Sequence, residues 1–133
     1  MQTKLVVLVR TDLRNTKGEK IRTGKLGAQI AHAALGAVLQ KNSSITSSHI
    51  LISMDEEMGR WLNSGETKIV LAVSSETELL DLYAAAKEHN LNAVLIVDKG
   101  LTEFGGTPTK TCVAIGPHYS SDIDKITGHL RPL

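Results

Sequence analysis

Apolar and polar positions along the chain alternate between two rhythms: short Val-, Leu- and Ile-rich runs, and longer stretches in which small and apolar residues recur every three or four positions. Residues 4–10 enclose five consecutive apolar positions, Leu5 to Val9, and read as a buried strand. A polar loop containing Gly and Lys follows to about Thr23. Over residues 24–40 Leu26, Ile30, Ala33 and Ala37 fall on one stripe and Ala31, Leu35 and Val38 on another, which predicts a helix apolar on two sides and well buried. Residues 43–48 read as a polar turn, 49–53 as a short irregular or extended piece, and 55–63 as a short helix ended at Gly65. The spacing then predicts a strand over 68–73 and a helix over 75–89, whose Ser75-Glu76-Thr77-Glu78 start fits a capping box. Strands over 93–97 and 110–115 and a last helix over 120–127 complete the reading.

Strands alternating with helices predict an α/β fold, a three-layer α/β/α sandwich around a mixed, mostly parallel four-stranded sheet. The loop over 99–109 is too short for a crossover helix, so the fourth strand is expected to run antiparallel to its neighbour. No repeat, low-complexity tract or linker interrupts the chain, and 133 residues with 41% apolar content suit one core, hence a single domain over 1–133. The aromatics are Trp61, Tyr83, Phe104 and Tyr119, so that core must be built from Ala, Val, Leu and Ile. Cys112 is alone, which excludes an internal disulfide and makes a cytoplasmic setting the simpler expectation. The run from Leu5 to Val9 is too short for a signal segment or a membrane span.

Charge changes the picture through its distribution. Residues 1–25 hold seven basic groups against Asp12 and Glu19, a net +5, whereas the remainder holds eight against twelve, a net −4. Arg14, Lys17, Lys20 and Arg22 in the first loop could receive a polyanion; a merely solvated basic loop accounts for them equally well.

Candidate chemistry gathers on the first helix, where Lys25, Gln29 and His32 are spaced i, i+4, i+7 on one narrow stripe. Gln29 and His32 are the polar side chains between Leu26 and Leu39, and with Lys25 they suggest a cleft; alternatively they satisfy buried backbone groups. Asp98 follows the third predicted strand as Gly24-Lys25 follow the first, so parallel strands would bring both to the carboxyl edge of the sheet, where open α/β folds bind ligands. Taken alone, an Asp in Asp98-Lys99-Gly100 is more often a turn-forming residue. Residues 18–25 fail as a P-loop, since five residues separate Gly18 from Gly24 and Leu26 stands where a Ser or Thr is needed, although a helix N-terminus beside Lys and Arg remains a phosphate cradle. No G-x-S-x-G elbow occurs, Cys112 reads as a small core residue, and His118, Asp122 and Asp124 read as structural, with the Asp pair explained by capping and dipole effects.

The segment Gly24-Lys25-Leu26-Gly27-Ala28-Gln29-Ile30-Ala31-His32-Ala33 resembles the G-K-x-A-A-Q-x-x-H-A segment of the type II peptidyl-tRNA hydrolases. Asp98-Lys99-Gly100-Leu101-Thr102-Glu103 is similar to that family's D-x-G-x-T-[QE], residues 111–117 to its T-x-x-x-I-G-P, and residues 123–130 to its C-terminal helix and tail. Gly27 stands where Ala is usual and Lys99 where a small residue is usual, the loop over 15–23 is longer than typical, and that over 104–108 differs from the common version. The resemblance implies a mixed four-stranded sheet between helices, hydrolysis of the ester of peptidyl-tRNA, and chemistry that uses neither metal nor cofactor. It carries over Lys25, His32, Asp98, Thr102 and Thr111 as catalytic residues, with Gln29 supporting them on the substrate side. In the implied mechanism Asp98 orients or deprotonates a water held by Thr102 and Thr111, Lys25 faces the oxyanion or a phosphate, and His32 shares proton transfer or holds its neighbours. The alternatives are a non-catalytic RNA- or protein-binding adaptor of the same fold, and a hydrolase or transferase acting on another acyl or phosphorylated substrate. An exposed apolar face would admit a homodimer. With few aromatics to stack on bases, tRNA is expected to be held through its end and backbone, and such phosphate contacts weaken with salt. Binding of tRNA measured between about 50 and 200 mM salt should therefore fall steeply; an affinity indifferent to salt would reject the polyanion reading of the basic loop.

Overall fold

The N-terminal apolar run forms β1 (Thr3–Arg10), the strand on which both halves of the core are assembled. Leu5, Val6, Val7 and Leu8 are fully buried, because successive side chains leave a strand on opposite faces and both faces of this one are covered. The computed structural model describes residues 1–133 except Asn42, Leu101 and Thr102 and the side chain of Ser43. After β1 come α1 (Thr23–Gln40), β2 (Ser43–Ile45), β3 (Ile50–Ile52), α2 (Glu56–Asn63), β4 (Lys68–Val73), α3 (Glu76–Glu88), β5 (Ala93–Asp98), β6 (Thr109–Tyr119) and α4 (Ser120–Thr127).

The four-stranded sheet has the order β4-β1-β6-β5. On one face Leu5, Val7 and Val9 pack with Ala33 and Ala37 of α1 and Trp61 of α2. On the other, Val6 and Leu8 pack with Leu79 and Ala86 of α3 and with Ile123 and Ile126 of α4. This is the expected three-layer sandwich. The expectation of a mostly parallel sheet needs correction at the level of pairing: β1 pairs with β4 in parallel, but β6 lies between β1 and β5 and is antiparallel to both. Three strands point the same way and one opposes them, because the short connection from β5 returns the chain directly beside it. The shared direction of β1 and β5 brings the start of α1 and the end of β5 to one edge of the sheet, and the reversed β6 begins at that same edge.

Local sequence accounts for the helix starts. Asp55 accepts a hydrogen bond from the Met58 N–H at 2.9 Å, and Ser75 accepts from Glu78 N–H at 3.0 Å. The Glu78 carboxylate reaches back to the N–H of Ser74 rather than that of Ser75, a capping box displaced by one residue. Three other expectations change. α1 is buried along one stripe and open along the other: Ala31 and Leu35 are exposed, Leu35 at 58%, since α1 is an outer layer with nothing packed over it. The segment read as a polar turn contains β2, which pairs antiparallel with β3 in a two-stranded ribbon. β6 continues past Gly116-Pro117, where a proline would ordinarily end a strand, because β1 shifts register opposite it between Lys4 and Val6. No helix among the described residues is long and apolar enough to cross a membrane.

Candidate active site

At the shared sheet edge four side chains from three elements form one connected network. Lys25, in the first turns of α1, places its Nζ 2.6 Å from Oδ2 of Asp98, the last residue of β5. Gln29, one helical turn further on and 7% exposed, donates through Nε2 to the same carboxylate oxygen. Because the amide nitrogen is held by Asp98, the amide oxygen faces β6 and accepts from Thr111 Oγ1 at 3.2 Å. The Thr111 hydroxyl also lies 3.4 Å from the Ile96 carbonyl. The second carboxylate oxygen of Asp98 accepts the Gly100 N–H at 2.6 Å.

The i, i+4 spacing of Lys25 and Gln29 thus serves a single acceptor, and the cleft suggested by the polar stripe exists. Lys25, Gln29, His32, Asp98 and Lys99 line a groove of about 390 Å³ together with Ala28 and Val97. His32 is exposed on its wall and has no hydrogen-bond partner among the described residues, so it does not hold Asp98 or Lys25 in place. Thr102 lies outside the described residues. On the other side of Gln29 and Thr111 is a second cavity of about 320 Å³, and Gln29 lines both spaces.

Burial is the largest influence on Asp98 and pushes its pKa up. It is outweighed by the hydrogen bonds from Lys25, Gly100 and Gln29 and by the Lys25 charge, and the net effect holds the carboxyl below its ordinary range. Cys112 behaves oppositely: burial pushes its thiol up to about 11, which fits a core residue rather than a nucleophile.

Hydrogen bonds shape the basic loop, while its Arg14, Lys17, Lys20 and Arg22 stay exposed. Asn15 Oδ1 accepts the N–H groups of Lys17 and Glu19, and the Arg14 guanidinium donates to the carbonyls of Thr11 and Leu13. Arg22 is different from its neighbours, since it pairs with the buried Glu103, which also accepts the Arg22 N–H at the start of α1. Glu103 and Gly100 are the participants that residue-level reasoning missed. Glu103 ends the D-x-G-x-T-[QE] block, and its fixed place there was the available signal. Gly100 has φ +80°, and a Cβ there would run into the Thr107 backbone, so the turn that offers its N–H to Asp98 requires glycine.

His118 pairs with Asp122 at 3.0 Å and Lys4 with Asp124 at 2.6 Å, in keeping with structural roles. Asp122 lies in the first turn of α4 as a dipole argument expects, but no side chain caps that helix. Among the described residues no group of three or more His, Cys, Asp or Glu could hold a metal ion.

The sequence matches the family described as peptidyl-tRNA hydrolase PTH2 over residues 3–133. A peptidyl-tRNA hydrolase of Sulfurisphaera tokodaii is 42% identical over 133 residues, covering 100% of both chains. That of Sulfolobus acidocaldarius is 41% identical over 130 residues, covering 98% of this chain and 99% of its own. The Methanopyrus kandleri protein of the same name is 39% identical over 127 residues, covering 96% and 95%.

The lowered pKa of Asp98 has a definite sign in stability. The contribution of its charged form is fully present above the unfolded value near 3.8 and is lost as pH falls through the lower folded value. Urea denaturation of the natural chain and of Asp98→Asn should therefore differ by a constant amount from pH 7 to about 5 and converge under more acid conditions. Convergence already between pH 7 and 5 would show that Asp98 is not held below its ordinary range.

Proposed function

This chain belongs to the peptidyl-tRNA hydrolase PTH2 family, and on that premise we propose the part that each residue of the site plays. The reaction is hydrolysis of the ester between peptide and tRNA. Water adds to the acyl carbon, the bond to the ribose oxygen breaks, the peptide leaves with a carboxylate and the tRNA recovers its hydroxyl.

Lys25 meets the charge that develops on the carbonyl oxygen. An ammonium has three donors and Asp98 engages one side of it, so protons remain for an oxyanion in the groove. Asp98 orients Lys25 and Gln29 rather than taking a proton, since its lowered pKa gives it little basicity and both its oxygens already accept hydrogen bonds. Thr111 offers lone pairs to the attacking water, because its single proton goes to Gln29 or to the Ile96 carbonyl. His32, exposed in the same groove, takes the proton of that water and returns it to the leaving ribose oxygen. Thr102 shares the holding of the water. Arg14, Lys17 and Lys20 receive tRNA phosphates, whereas Arg22 secures the start of α1 through Glu103. The observation that carries this reading is the single network joining Lys25, Asp98, Gln29 and Thr111; nothing favours a non-catalytic adaptor. The reading places the enzyme in the cytoplasm, where its substrate arises.

Two measurements test it. In single-turnover hydrolysis of N-blocked aminoacyl-tRNA, Lys25→Ala should slow the chemical step about 10²- to 10³-fold. His32→Ala should slow it about 10²- to 10⁴-fold and flatten its pH profile, and wild-type rates in both His32→Ala and Asp98→Asn would reject the assignment. The homodimer draws on Leu35 of α1 and on Ile45, Ile50 and Leu51 of the ribbon, which stay exposed. Sedimentation at micromolar concentration should show two copies, and a monomer throughout would dismiss it.

A further inference from the structure

The substrate of this reaction has two unlike halves, and the two spaces that meet at Gln29 are unlike in a corresponding way. The first is the groove bearing Lys25, His32 and Asp98. Its Ala28, Val97 and Lys99 are exposed, so it opens along its length to solvent. The second is the cavity of about 320 Å³, with apolar walls from Leu13, Ile21, Leu26 and Phe104, each half-buried. At its inner end stand Gln29 and Thr111, the polar pair shared with the reaction site. At its mouth stand Arg14 and Lys20, which make no ion pair among the described residues. Arg10 also borders the cavity but is already paired in bidentate fashion with Asp12.

We propose that this cavity is the subsite for the 3′-terminal adenosine of the tRNA, with the preceding phosphates at Arg14 and Lys20 and the peptide running out along the open groove. The inference rests on the hydrolase reading and deepens it by dividing the substrate between the two spaces. Three observations set the direction of that division. A tRNA always ends in the same nucleoside, whereas the peptide varies in length and side chains, so the constant half suits the enclosed space and the variable half the open one. The volume lies at the small end of the ~300–1,000 Å³ range of ligand pockets and has room for one nucleoside. Two cations without carboxylate partners among the described residues, Arg14 and Lys20, border this cavity, whereas the groove has one, Lys99, its Lys25 being held by Asp98; a polyanion is drawn more to the pair. Phe104 is the aromatic residue on the wall, and a base presents a π-face to such a ring whatever its sequence. Thr23 on the same lining carries a hydroxyl for a nucleoside edge, whereas that of Thr11 already donates to the Val73 carbonyl at 3.2 Å. With the ribose at the inner end, its acylated oxygen comes beside Thr111 and Gln29, and the acyl carbon crosses toward Lys25.

The test uses the full chain and the trinucleotide cytidylyl-cytidylyl-adenosine as probe, followed by amide chemical shifts and by inhibition of N-blocked aminoacyl-tRNA hydrolysis. Shift changes are expected at Leu13, Ile21, Leu26 and Phe104. Leu13→Trp, which fills the cavity from its rim, should weaken trinucleotide binding at least tenfold, and Ala28→Trp, which fills the groove, should change it less than twofold. Shifts confined to Ala28, Val97 and Lys99, the reverse order of the two variants, or no binding at millimolar trinucleotide would overturn the proposal. Should Leu13→Trp fail to fold, the shift map of the natural chain decides alone. Hydrolysis by a chain whose trinucleotide shifts map to the groove defeats the subsite and leaves the enzyme reading intact. Trinucleotide bound in the cavity of a chain with no hydrolytic activity does the opposite.

Discussion

A carboxylate at the end of a strand, with its side chain 10% exposed, has to have its charge met by the protein. Asp98 meets this constraint with partners from different parts of the fold: the ammonium of Lys25 and the amide of Gln29 from α1, and the Gly100 N–H from its own turn. Gln29 then passes the constraint to Thr111 on β6. The network fixes α1 against β5 and β6 at the edge where chemistry can occur, and each member depends on the others because an unpartnered polar group there would carry a desolvation cost. The same contacts that keep Asp98 ionised make it a poor base, so its stability and its basicity are set together.

The apolar frame lets this network close. Ala33 and Ala37 are fully buried where α1 meets the sheet, and Gly36 faces Val94, which a methyl group there would meet at an ordinary contact distance of 3.7 Å. Small residues let the helix lie close to the strands, and that closeness brings the Gln29 side chain within reach of β6. Larger residues at these positions would fill the interlayer space and lift the helix away from Thr111. The opposite face of the sheet, built from Val6, Leu8, Val113 and Ile115 against α3 and α4, contributes stability without entering the site.

Formal charge overstates the cations available to a substrate. The N-terminal segment carries a net +5, yet Lys4, Arg10, Arg22 and Lys25 are all in ion pairs. Arg14, Lys17 and Lys20 are left among the described residues of that segment, on a loop whose shape is set by Asn15. The free cations of this segment are therefore fewer than composition suggests; Arg14 and Lys20 border the cavity, and Lys99, from outside the segment, lines the groove.

Periodicity and spacing alone determined the strands over 68–73 and 93–97, the helices of α1, α3 and α4 to within a residue or two, the antiparallel return of β6, and Lys25, Gln29 and Asp98 as residues of interest; Thr111 came from the family resemblance. These are local properties: a buried strand must read as a continuous apolar run, a helix start must satisfy its free N–H groups, and a short loop cannot cross over. The tertiary structure decided the rest. The exposure of Ala31 and Leu35 depends on what packs over α1. Glu103 acquired its role from Arg22, 81 residues away in sequence, and Gln29 became the link between Asp98 and Thr111 only when helix and strands were brought together. A side chain's hydrogen-bond partner is a matter of distance in space, and sequence constrains that distance only through the packing of the whole chain.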